Sequence, residues 1–178
     1  MHLATASTMG QTDPLTQTLT QRVHFHWEVC MPLFKKILVP IDGSDTSDKA
    51  MRMALDMARE ALGTVRFVHV MDDDRYLSSY ELSADLRIYG EKNAKELLQK
   101  AMDAATGMGV NAQSQVLDKP GQRLGESVAD EAADWGADLV VLGTHGRRGL
   151  GRMLLGSGAE QVIRLSPVPV LVVRGDGA

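Results

Sequence analysis

The sequence predicts an α/β fold: one domain built on a five-stranded parallel sheet with helices on both faces. Three observations carry this. Five short runs of β-branched and aliphatic residues alternate with longer stretches in which apolar residues recur every three or four positions. Glycine and proline punctuate the junctions between the two periods. Leu139-Val140-Val141-Leu142 is aliphatic without interruption, the pattern of a strand covered on both faces. Alternation of strand and helix requires crossovers, and crossovers give a parallel sheet.

The elements follow in order. Ile37-Leu38-Val39 forms the first strand, closed by the turn Pro40-Ile41-Asp42-Gly43-Ser44. Residues 46–62 place Ala50, Ala54, Met57, Ala58, Ala61 and Leu62 at helical spacing, and Gly63 is expected as the left-handed C′ residue. Val65 to Val70 is the second strand. A long helix over about 80–106 turns Leu82, Leu86, Leu97, Leu98, Ala101 and Ala105 inward and stops at Gly107 and Gly109. Residues 111–117 form the third and weakest strand. Leu124, Val128, Ala132 and Trp135 mark the next helix, closed by Gly136. The fourth strand is Asp138 to Leu142. A short helix over about 157–165 leads to the last strand, residues 168–173.

The totals exclude several classes. A chain of 178 residues is long enough for one well-buried domain. Its single cysteine, Cys30, rules out an internal disulfide framework and fits a reducing, cytoplasmic setting. The apolar runs fall far short of the ~20 residues of a membrane span. A net charge of −4 and an aromatic content of 4% argue against nucleic acid as a partner. Residues 1–33 have no element period and no secretory pattern. They read as a disordered tail, or as a mis-assigned start with Met31 as the first residue. Residues 34–174 are the domain, and 175–178 a short tail. His24, His26 and Cys30 cluster in the first segment but lack a fourth ligand and a helical spacing.

Chemistry concentrates at the carboxyl ends of the strands, where sheets of this type bind ligands. One loaded loop follows the first strand and contains Asp42. That carboxylate either caps a turn with Gly43 and Ser44 or accepts a hydrogen bond from a ligand. The other follows the fourth strand and reads GTHGRRGLGRMLLGS, residues 143–157. It is neither a Walker A loop, which needs G-x-x-x-x-G-K-[ST], nor a dinucleotide fingerprint, since Leu154 stands where the third glycine belongs. It offers backbone instead. Gly143 and Gly146 permit tight turning and close approach. Gly156 and Ser157 sit at a helix start, where free N–H groups and the helix dipole favour an anion. The Ser157 hydroxyl adds a donor or caps the helix. His145 either approaches that anion or bonds within the loop. Arg147, Arg148 and Arg152 either screen it or are simply exposed. His69 reads as a residue packed in or near the core.

The spacing Gly143-x2-Gly146-x9-Gly156-Ser157, with KKILVPIDGS (35–44), VHV (68–70), DLVVLGTHGRRGL (138–150) and LLGSGAEQVIRLSPVPVLVVR (154–174), resembles the universal stress protein family in its ATP-binding branch. The resemblance covers about residues 34–174. It implies a Rossmann-like, adenine nucleotide α-hydrolase-like fold with strand order 3-2-1-4-5. It implies that Asp42 meets the ribose, that Pro40 and Ile41 line the pocket, and that the backbone of Val70 meets adenine. Gly143 is implied on the ribose side. Gly146, Gly156, Ser157, Gly158 and Ala159 are implied at the phosphates, with Mg2+ or Mn2+ held through the phosphates. One departure stands out. Gly158 replaces a residue that is commonly β-branched in the family, which loosens the first helical turn by roughly 0.5–1 kcal/mol relative to Ala.

Three functions follow as expectations. The first is a non-enzymatic, ATP-binding stress or signalling module, with no catalytic residue assigned. The second is a slow ATPase or an ATP-pyrophosphatase-like enzyme, faintly suggested by DGSDTS at 42–47. The third is a structural dimer that binds no nucleotide. A homodimer through the edge strand 168–173 is expected on the family resemblance and because unpaired edges are normally covered.

Overall fold

The computed structural model describes residues 34–71, 80–144 and 155–175. Among these, the order is β1 (Lys36–Pro40), α1 (Asp45–Ala61), β2 (Thr64–Val70), α2 (Tyr80–Gly107), β3 (Asn111–Leu117), α3 (Leu124–Trp135), β4 (Leu139–Gly143), α4 (Ser157–Leu165) and β5 (Val170–Val173). All strands run parallel in one sheet of order β3-β2-β1-β4-β5. This is the predicted Rossmann-like α/β fold in the predicted order.

Neighbouring residues in a strand point to opposite faces, and the two faces bury two cores. On one side Ile37, Val39, Val65, Phe67 and Val141 pack with Ala50, Ala54 and Leu55 of α1 and Leu98, Ala101 and Ala105 of α2. On the other, Leu38, Val68, Val140 and Leu142 pack with Val128 and Ala132 of α3 and Ala159 and Val162 of α4. The uninterrupted aliphatic run at 139–142 is buried throughout, as its composition requires. The weak pattern at 111–117 has an equally physical cause. β3 is an edge strand, and its Gln113, Ser114 and Gln115 are exposed.

One predicted cap is wrong in an instructive way. The left-handed residue that ends α1 is Leu62, with φ 52°, not Gly63. Gly63 is needed one position later for space. A Cβ there would stand 2.7 Å from the Lys35 carbonyl oxygen, which already accepts the Thr64 N–H that opens β2. Gly136 does close α3 in the left-handed region, at φ 68°. The last strand begins at Val170 rather than 168. Pro169 has no N–H to give the ladder, although its carbonyl still accepts the Val140 N–H at 3.0 Å.

Several expectations fall outside the described residues. They are the tail with His24, His26 and Cys30, the side chains of Leu82 and Leu86, and His145, Gly146, Arg147, Arg148 and Arg152. Among the described residues, no helix is long and apolar enough to cross a membrane.

Candidate functional site

The strand order fixes where a ligand crevice opens. The chain leaves β1 toward β2 on one side, and leaves β4 toward β5 on the other. The loops after β1 and β4 therefore part at the carboxyl edge of the sheet, the switch point where such sheets bind ligands.

The loop after β1 is braced by hydrogen bonds on both sides of Asp42. The Ile41 N–H donates to the Val68 carbonyl at 2.8 Å, which extends the β1–β2 pairing by one residue. The Ile41 carbonyl receives Nδ1 of His69 at 2.7 Å. The Asp42 N–H donates to Oγ of Ser47 at 3.2 Å. Oδ1 of Asp42 accepts both the Ser44 N–H at 3.0 Å and the Ser44 hydroxyl at 2.7 Å. Gly43, at φ 78°, makes this tight turn possible. Ser44 is also the N-cap of α1 and accepts the Ser47 N–H. Asp42 thus has the turn-capping role that the sequence left open, and the same bonds orient its carboxyl group. Pro40 is half-buried. The Ile41 side chain is buried in the core shared with α1, so only its backbone faces the loop.

The loop after β4 is tied at both ends. The Thr144 N–H donates to the Val173 carbonyl at 2.9 Å, and the Thr144 carbonyl accepts the Gly156 N–H at 2.8 Å. Gly156, at φ −63° and ψ 145°, is the N-cap of α4, and among the described residues no side chain caps this helix. The Gly156 carbonyl receives the Glu160 N–H, which closes the first turn. The N–H groups of Ser157, Gly158 and Ala159 therefore have no acceptor within the helix. Ser157 is the first helical residue and is exposed, so it is a potential ligand donor and not the cap. Gly158 lies over Leu124 of α3, where a Cβ would meet Cδ2 at 3.4 Å. Ala159 buries its methyl in the core and offers only its N–H.

Gly143 serves a purpose that the sequence did not reveal. A Cβ there would stand 2.7 Å from the carbonyl carbon and Oγ1 of Thr46. Its missing side chain admits the first turn of α1, before any ligand is considered. Val70 ends β2 beside Leu117, half-buried against the α3–α4 core. Sequence reasoning overlooked Ser47 and Thr144, named Ser44 only as part of the turn with Asp42, and gave His69 no task beyond the core. The Ser44-x2-Ser47 spacing was the available signal, because it is that of an N-cap and the N–H it receives. Among the described residues, no group of three or more His, Cys, Asp or Glu could hold a metal ion.

The fold and the site together define a doubly wound α/β protein. Its switch-point crevice sets a braced carboxylate on one flank and a helix N-terminus with a glycine N-cap on the other. The chain belongs to the universal stress protein family, whose model matches residues 33–174. It is 37% identical over 147 residues to the universal stress protein MJ0531 of Methanocaldococcus jannaschii, covering 80% of this chain and 83% of that one. It is 32% identical over 152 residues to YxiE of Bacillus subtilis, covering 80% of this chain and all of that protein. Among solved structures, MJ0577 superposes with a TM-score of 0.73 at 28% identity, over 82% of this chain and 99% of that one. The Archaeoglobus fulgidus universal stress protein in complex with dAMP shares the fold at a TM-score of 0.59 and 24% identity, over 79% of this chain and 98% of that one.

Proposed function

We propose that this protein is an ATP-binding signalling module of the universal stress protein family, with the triphosphate on the N-terminus of α4 and the ribose on Asp42. The observation that supports this most is the pairing of two chemistries at one sheet edge. Three backbone N–H groups at Ser157, Gly158 and Ala159 have no acceptor in the helix and, among the described residues, no capping side chain, which suits an anion. Asp42, its Oδ1 fixed by Ser44, suits a hydroxyl donor. That a protein of the same fold holds dAMP agrees with this reading. Mg2+ or Mn2+ would be held through the phosphates, and Gly146 would lie beside them.

The described donors at the crevice are the N–H groups of Ser157, Gly158 and Ala159 and the Ser157 hydroxyl, which suit the holding of charge. This reading assigns no catalytic residue. In this reading the protein is cytoplasmic and acts as a homodimer through residues 168–173. The sheet order leaves β5 at the edge, with Val170, Leu171 and Val172 half-buried, and α4 exposes Ile163 and Leu165.

The test is thermal unfolding of the full chain with and without Mg-ATP, beside Gly156→Asp. Ligand at about 100 times its dissociation constant adds roughly 2.7 kcal/mol. The substituted carboxylate suits the cap position, and improves on Gly by a few tenths of a kcal/mol without ligand. It should nevertheless repel phosphate. A variant that is at least as stable alone but gains nothing from ATP supports the reading. Wild-type protein that gains nothing from ATP overturns it. Steady phosphate release by wild type, abolished in the variant, would replace binding with hydrolysis.

A further inference from the structure

We propose that His69 is a positioning residue for nucleotide recognition: through the Ile41 carbonyl it holds the peptide plane that aims the Asp42 carboxylate at the ribose. The inference rests on the proposed function and adds to it a residue that touches no ligand.

The Ile41–Asp42 peptide unit is held at both of its polar ends. Its C=O receives His69 Nδ1 at 2.7 Å, and its N–H donates to Ser47 Oγ at 3.2 Å. A carbonyl oxygen can only accept, so Nδ1 of His69 carries the proton in this contact, and it does so whether or not Nε2 is protonated. The imidazole is anchored in turn. His69 lies near the end of β2, in register with Val116 of β3. Ser47 is 4% exposed, within the first turns of α1. The peptide before Asp42 is thus clamped between the central sheet and a helix. Ser44 then fixes Oδ1. A ligand carboxylate on a surface loop would otherwise lose rotamer and backbone freedom on binding. Here that ordering is complete beforehand, and hydrogen bonds to a charged acceptor reward such placement.

The test compares the affinities of the full-length protein for ATP and for 2′,3′-dideoxy-ATP, which lacks the ribose hydroxyls, by calorimetry. Wild type should prefer ATP by about tenfold or more, the scale of a hydrogen bond to a charged group. Asp42→Asn should shrink that preference. His69→Phe keeps a ring but no donor, and should shrink it likewise while leaving dideoxy-ATP affinity within about twofold. His69→Asn offers an amide donor near the Nδ1 position and should restore it. If His69→Phe does not fold, Ser47→Ala, which removes the clamp at the other end of the peptide, should show the same selective loss. Full ribose preference in a folded His69→Phe or Ser47→Ala protein, or an equal loss for both nucleotides, overturns the positioning role and leaves the ATP reading intact. Wild type that binds neither nucleotide overturns both.

Discussion

Gly143 at the end of β4 and Thr46 in the first turn of α1 meet so closely that a single added carbon has no room: it would stand 2.7 Å from two atoms of Thr46. The contact joins the two flanks of the switch-point crevice. Gly143→Ala should therefore destabilise the fold by about 1–3 kcal/mol, the range for overpacking. Chemical denaturation without ligand measures this directly. Thr46→Ala in the same chain should recover only part of the loss, since the clash with the Thr46 carbonyl carbon remains. A Gly143→Ala protein as stable as wild type would mean that the first turn of α1 moves aside freely.

The end of α1 offers a change of the opposite sign. Leu62 is 87% exposed and held at φ 52°, a conformation that costs a side-chain-bearing residue about 1–2 kcal/mol. Leu62→Gly should raise stability by about 1 kcal/mol in the same denaturation experiment. Gly63→Ala, one residue on, should lower it, because its Cβ would strike the Lys35 carbonyl. Equal effects at the two positions would contradict the assigned cap.

A largely buried ion pair joins the sheet to α3. Nη1 of Arg66 donates to Oε1 of Glu131 at 2.5 Å, with side chains 20% and 7% exposed. The guanidinium also meets Oε1 of Gln113 and stacks on the Trp135 ring, 4.6 Å from its centroid. Glu131→Ala leaves that cation partly buried without its counter-charge and should cost roughly 2–4 kcal/mol, discounted for the partial exposure of Arg66. Arg66→Met with Glu131→Leu should recover most of this, because apolar packing replaces two desolvated charges. Failure of the double variant to exceed Glu131→Ala would mean that Gln113 and Trp135 need the guanidinium itself.

The surface carboxylate of Asp130 supplies a pH dependence. Hydrogen bonds from Lys119 and Gln122, and the charge of Lys119, hold it below the usual carboxylate range. A lowered folded-state pKa means that its contribution is present above the unfolded value, near pH 4, and is lost as pH falls through the folded value. Wild type and Asp130→Asn should thus differ by a small, salt-sensitive and constant amount from neutral pH to about pH 5. The difference should close in acid. A gap that widens in acid would reverse the assignment.

Most of the architecture was legible because periodicity reports burial. A residue run of period two or of continuous aliphatics, bounded by turns, becomes a strand wherever it folds. The helices at 124–135 and 157–165 were readable for the same reason at period 3.6. The site was legible where a residue type has few physical uses, such as glycine and serine at a helix start. It was not legible where the use depends on what lies across space. Nothing local marks His69 as the partner of a carbonyl 28 positions away, or Ser47 as the acceptor for the Asp42 N–H.

The glycines divide the two kinds of information most clearly. The sequence alone determined that a parallel α/β domain with a glycine-rich loop after its fourth strand would form, since alternating apolar periods leave no other way to bury both. Only the tertiary structure decided what each glycine is for. Gly143 admits Thr46, Gly63 admits the Lys35 backbone, and Gly125 admits Gln161 of the neighbouring helix, whose Cβ would lie 2.5 Å from a new one. A missing side chain is silent in sequence. Its meaning lies in the atom that occupies the space, and that atom belongs to a distant part of the chain brought close by packing.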